Sequence, residues 1–120
     1  MWPRNLFDVA DALAWLRENE QRYGYSFKHL AMWGFSAGCC LSNLYIQGGE
    51  NIFNHLGYET PVYPVAALVG FYGPYDFPSR QAERKSTDNA LNLDHSPSKW
   101  IRQDRSRPRP PVLHVHGDHD

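Results

Sequence analysis

Ser36 stands at the centre of Trp33-Gly34-Phe35-Ser36-Ala37-Gly38, a Gly-x-Ser-x-Gly pentad in a chain of 120 residues. A serine hydroxyl attacks a carbonyl only when it is lifted clear of its surroundings, beside a base and near donors for the developing oxyanion. A sharp turn from a strand into a helix does the lifting. The serine at its tip carries a strained backbone, so its neighbours must be small for strand and helix to approach. Gly34, Ala37 and Gly38 meet that requirement. The helix start then directs backbone N–H groups toward negative charge, and the N–H of Ala37 is the natural first oxyanion donor. The plainer reading is a serine that caps a helix in a glycine turn. A cap does not need small residues on both sides of it, so the pedestal explains more.

The second chemically dense stretch is His114-Val115-His116-Gly117-Asp118-His119. It fits H-x-H-x-D-H, which resembles the metal-binding signature of the metallo-β-lactamase fold, where histidines two apart and an Asp-His pair converge on zinc. In that fold the signature lies toward the front of the domain, with further ligands downstream, and it would leave the Ser36 pentad unexplained. No metal and no cofactor are therefore expected. Cys39 and Cys40 are adjacent, which is poor geometry for a disulfide, and no basic partner is evident, so both are expected as small buried packing residues. His29, His55 and His95 read as surface or loop positions.

These residues need elements to hold them. Leu6, Val9, Ala10, Leu13 and Leu16 recur along one helical face within 5–23, with Gly24 as a stop. His29-Leu30-Ala31-Met32-Trp33 is an apolar run of strand length. After the glycine turn, 37–47 is apolar-periodic again, with Leu41, Leu44 and Tyr45 facing inward. Residues 48–61 read as a loop, opened by Gly48-Gly49 and closed by Thr60-Pro61. Val65 to Val69 is a compact run expected to be a strand buried on both faces. Two helices are expected in the polar stretch, at 79–90 and 96–102, and Val112-Leu113-His114-Val115 is the third strand. Strands separated by helical stretches give crossover units and a parallel sheet, which is the α/β class. Three strands are few for such a sheet, so the chain reads as one partial domain, the central fragment of a doubly wound, mostly parallel sheet.

Three segments in order carry a family resemblance. The first runs from Trp2 through "WPRNLFDVADALAWLRENEQRYGYSFKHLAMWGFSAG". The second is the "LVGFYGPYDF" stretch from Leu68 to Phe77. The third is "PPVLHVHGDHD", from Pro110 to Asp120. Together they resemble serine esterases of the α/β-hydrolase fold, in particular the hormone-sensitive-lipase-like and acetyl-xylan or feruloyl-esterase-like groups. The resemblance implies carboxylic-ester hydrolysis through an acyl-enzyme on Ser36, with Asp120 as the acid that orients a histidine. Asp118 competes for that role but falls two positions early. Family order places the histidine after the acid, and a His-Gly-Gly oxyanion loop ahead of the first helix; these 120 residues hold neither. The resemblance thus implies a partial α/β-hydrolase domain with a small-molecule ester substrate, and only background ester turnover from these residues alone. The competing possibility is a truncated, non-catalytic remnant or binding module.

Composition narrows the rest. The formal charge is −1 with 42% hydrophobic residues, so neither nucleic acid nor an anionic membrane is an expected partner, and the chain is too apolar to be disordered. The longest apolar run is far below a membrane span, and Met-Trp-Pro-Arg does not begin a signal peptide. A soluble, cytoplasmic protein is the expectation.

Overall fold

The computed structural model describes residues 2–74, 96–103 and 108–117. In chain order the elements are α1 (Arg4–Glu18), α2 (Glu20–Tyr23), a 3-10 turn (Phe27–His29), β1 (Ala31–Phe35), α3 (Ala37–Leu56), β2 (Ala67–Phe71), α4 (Pro97–Gln103) and β3 (Val112–Val115). The strands form one sheet in the order β1-β2-β3. Both pairings are parallel, with Gly34, Gly70 and His114 sharing one row and Phe35, Phe71 and Val115 the next. The expected α/β arrangement with a parallel sheet is what the chain forms.

α3 holds the structure together. It lies against β1 and β2, and α1 and α4 pack on it in turn. Leu6, Ala10 and Leu13 of α1 meet Cys40, Leu44, Tyr45, Ile52 and Phe53 of α3, with Leu68 of β2 and Trp100 of α4 closing the core. The helical periodicity of 5–23 is thus real, but it divides at Asn19. There the Asn19 side chain donates to the Trp15 carbonyl at 2.8 Å. A short amide that bonds nearby backbone competes with helix continuation. Gly24, at φ 73°, ends α2 in the left-handed conformation that glycine takes without penalty.

Two expectations need correction. Residues 48–61 are not a loop throughout, because α3 continues to Leu56, bent at Gly49 (φ 49°, ψ −140°). Ile52 and Phe53, both fully buried, fasten the second half of the helix to the core. Gly48 allows the bend, since a Cβ there would come within 2.6 Å of the Ile52 side chain. Composition registered the glycine pair and overlooked the two apolar residues behind it.

β2, secondly, is covered on one face only among the described residues. Leu68 and Gly70 are buried, whereas Val69 and Phe71 are only half-buried. They belong to a face formed with Trp33, Phe35, Leu113 and Val115, the last four of them exposed. The strands also sit about two residues later than the apolar runs suggested, at 31–35 and 67–71. Of the two helices expected in the polar stretch, 96–102 corresponds to α4, while 79–90 lies outside the described residues. Among the described residues no helix is long and apolar enough to cross a membrane.

Candidate active site

β1 ends at Phe35 and α3 begins at Ala37, so Ser36 alone makes the change of direction. Its backbone lies at φ 48°, ψ −118°. A side chain with positive φ pays for the conformation in strain, of order 1–3 kcal/mol, which persists only where the surroundings fix it. Here they do so from both sides. The Ser36 N–H donates to the Phe71 carbonyl at 3.0 Å, and the Ser36 carbonyl accepts from the Cys40 N–H at 3.2 Å. The first bond ties the turn to the neighbouring strand and the second makes it the first turn of α3. Ser36 itself is exposed.

Gly34 makes the turn possible. A Cβ there would stand 2.6 Å from both the Cα and the backbone N of Cys39, a contact with main chain that no rotamer relieves. Strand and helix touch at this point, and only glycine fits between them. Gly38 differs: a Cβ there meets nothing within 4 Å among the described residues. The close approach expected of both glycines therefore rests on Gly34.

Ala37 is the first residue of α3, and the opening N–H groups of a helix have no acceptor within it. They stand immediately after the exposed Ser36, at the positive end of a 20-residue helix. The arrangement can present a hydroxyl and stabilise an anion beside it.

The cysteines behave differently from the serine beside them. Neither is in a disulfide, and both are buried. Burial, reinforced by the neighbouring Cys39, pushes the Cys40 thiol up to about 12. A thiol held protonated is not a nucleophile. Asn43 donates to the Cys39 carbonyl at 3.0 Å and lies 3.6 Å from its sulfur. These residues pack the underside of the turn.

β3 brings the C-terminal segment to the same edge of the sheet, since all three strands point one way. His114 shares the row of Gly34 and Gly70 but lies on an outer strand and is exposed. Partial burial, followed by the nearby His116, lowers its pKa. Asp118, His119 and Asp120, like His95, lie outside the described residues. Among the described residues no group of three or more His, Cys, Asp or Glu side chains could hold a metal ion.

One residue at this edge was not singled out by the sequence. Tyr72 follows β2 as Ser36 follows β1, and it too has positive φ, at 40°. Its N–H donates to the Val115 carbonyl at 2.7 Å, repeating the Ser36-to-Phe71 bond one strand further on. Propensity gave no warning, because Gly73 next door is the residue that a turn would ordinarily bend at.

The model of the BD-FAE family matches residues 1–120, the whole chain. The chain belongs to the BD-FAE family. Curated relatives agree with this. Esterase LipC of Mycobacterium tuberculosis is 32% identical over 136 residues, covering 99% of this chain and 33% of its own length. The probable carboxylic ester hydrolase LipM of the same organism is also 32% identical, covering 99% and 30%. The BD-FAE chain thus spans about a third of the length of these relatives. Among solved structures, a putative carboxylesterase from Lactobacillus plantarum superposes with a TM-score of 0.55 at 16% identity, over 98% of this chain and 57% of that one. The carboxylesterase Cest-2923 of the same organism gives 0.57 at 15%, over 98% and 54%. These likenesses show the fold: the BD-FAE chain has the central strands and helices of an α/β-hydrolase.

Proposed function

We propose that the protein carrying this chain hydrolyses carboxylic esters through an acyl-enzyme on Ser36. The observation that carries the proposal is the backbone of Ser36, strained at φ 48° and exposed between a parallel strand and the start of α3. Strain of this kind persists where it serves a site, and the names of the mycobacterial relatives point to esters as the substrate.

Ser36 Oγ bonds to the ester carbonyl carbon while its proton passes to an imidazole. The π electrons of the carbonyl move to its oxygen, which accepts a hydrogen bond from the Ala37 N–H. Collapse of the tetrahedral adduct breaks the bond to the alcohol, which leaves with the proton from the imidazole. Water then repeats the sequence on the acyl-enzyme, releasing the acid and restoring Ser36. In this reading Asp120 orients the imidazole, and the histidine and the second oxyanion donor come from outside these 120 residues. Ser36, Ala37 and Asp120 take these roles by the resemblance of their motifs, and Gly34 and Gly38 shape the elbow.

The test is covalent labelling of the full-length protein with a fluorophosphonate, followed by peptide mapping. Label on Ser36, absent in Ser36→Ala, is the expected result. Label elsewhere, or none in a folded protein, would refute the reading.

A further inference from the structure

Asn43 lies in the second turn of α3, 2% exposed, inside a helix where a short amide is ordinarily unfavourable. A buried amide costs free energy unless its polar atoms are bonded. The nitrogen of this one is directed at a single residue. Asn43 Nδ2 donates to the Cys39 carbonyl at 3.0 Å and reaches the Cys39 sulfur at 3.6 Å. Chemistry dictates that orientation of the amide, since a carbonyl oxygen only accepts.

Cys39 is the residue on which strand and helix meet, because its Cα and backbone N are what a Cβ at Gly34 would strike. Asn43 holds it from the helix side. The Cys39 carbonyl and the Cys40 N–H belong to one peptide group. That N–H donates to the Ser36 carbonyl at 3.2 Å. The Ser36 carbonyl and the Ala37 N–H form the next peptide group. A line of hydrogen bonds therefore runs from the Asn43 amide, through two planar peptide groups, to the proposed oxyanion donor. A donor at one end of a peptide group polarises it and strengthens the N–H at the other. The helical ladder already gives the Cys39 carbonyl one donor, and the Asn43 side chain is a second. Asn43, Cys39 and Cys40 are all buried, so the line does not depend on what covers the sheet elsewhere.

Ser42 is the contrast. Its hydroxyl donates to the Gly38 carbonyl at 2.9 Å, the same kind of bond one residue earlier. The peptide group it reaches carries the Cys39 N–H instead of the Cys40 N–H that holds Ser36.

We propose that Asn43 is a positioning residue for ester hydrolysis, orienting and strengthening the Ala37 N–H through the Cys39–Cys40 and Ser36–Ala37 peptide groups. This rests on the esterase reading of Ser36. The substrate oxygen carries its full negative charge only in the tetrahedral adduct, so the contribution falls on kcat and not on substrate binding.

The experiment compares variants of the full-length protein. Asn43→Ala and Asn43→Leu lack the donor, and the leucine keeps the space filled. Asn43→Ser supplies a hydroxyl able to bond the same carbonyl, and Ser42→Ala breaks the neighbouring bond. The readouts are p-nitrophenyl acetate kinetics and inhibition by an alkyl trifluoromethyl ketone, whose adduct with a serine places an oxyanion at the same donors. Both donor-less variants are expected to lose about tenfold in kcat with KM within about twofold, less than deletion of an oxyanion donor itself costs. The inhibition constant of the ketone should rise by the same factor. Asn43→Ser should recover to within about threefold of the parent, and Ser42→Ala should stay within that range. An unchanged kcat in a folded donor-less variant would overturn the inference. So would an equal loss in Ser42→Ala, no recovery in Asn43→Ser, or failure of both donor-less variants to fold, since a packing role predicts those. Fluorophosphonate labelling of the parent protein runs in parallel. If Ser36 labels and kcat ignores Asn43, the positioning role alone fails; if Ser36 does not label, the esterase reading fails and takes this inference with it.

Discussion

Ser36 and Cys40 lie one helical turn apart and are joined by a hydrogen bond from the Cys40 N–H to the Ser36 carbonyl. By intrinsic chemistry the thiol is the better nucleophile. The fold treats the two side chains differently. Cys40 is buried with its thiol pushed to about 12, while Ser36 is exposed on a strained turn at the head of α3. Exposure within these five residues is decided by where the backbone puts each side chain, and the elbow and the first buried turn of α3 are two sides of one construction.

The largest effect expected falls on the exposed side. Ser36→Ala in the full-length protein should lower kcat by about 10⁴-fold or more, the range seen when a covalent nucleophile is removed. Cys40→Ala should leave fluorophosphonate labelling of Ser36 intact. Labelling that follows the cysteine instead would invert the comparison.

Next comes the support under the turn. Leu44, fully buried one turn beyond Cys40, should cost about 2–5 kcal/mol when cut to alanine, as for a large-to-small change in a packed core. Denaturant unfolding measures it, and a loss below about 1 kcal/mol would show that α3 is less tightly held than its burial implies.

Gly34→Ala is smaller in volume and tests the contact between the two regions. Its methyl would meet Cys39 main chain at 2.6 Å. Strand and helix must separate, with a loss of about 1–3 kcal/mol and slower labelling of Ser36. Gly38→Ala, with open space around the added methyl, should show neither; equal behaviour of the two variants would refute the assignment of the contact to Gly34 alone.

The smallest effect is a pH dependence. The Cys40 thiol has a higher pKa in the fold than its ordinary value of 9.0, so between about 9 and 12 the native state holds a proton that the unfolded chain has released. Its contribution to stability is complete below about pH 9 and is lost as pH rises toward 12. The difference in unfolding free energy between the parent and Cys40→Ala, measured from pH 8 to 11, should therefore shrink in the alkaline direction. A constant difference would mean that the thiol titrates as it does in water.

Much of this was legible in the residues. The pentad around Ser36 marked the turn, and the helical period of Leu6, Ala10 and Leu13 marked the face that α1 buries. The run Val112 to Val115 was found to the residue. The extent of α3 was not, because two glycines outweighed Ile52 and Phe53 in a local reading. Nor was the division of β2 into a covered and an open face, since an apolar run does not say which neighbours will arrive. The positive φ of Tyr72 left no trace.

The sequence by itself determined the class of the fold, the order of strand, turn and helix, and the serine at the turn, because these depend on periodicity and on residues a few positions apart. Only the tertiary structure decided that Gly34 rather than Gly38 admits the close approach, that Cys40 is silenced while Ser36 is exposed, and that Tyr72 stands strained beside the same edge. Each of those depends on atoms brought together by the pairing of β1, β2 and β3 and by the seat of α3 upon them. Such neighbours are distant in the chain, and no local pattern encodes them.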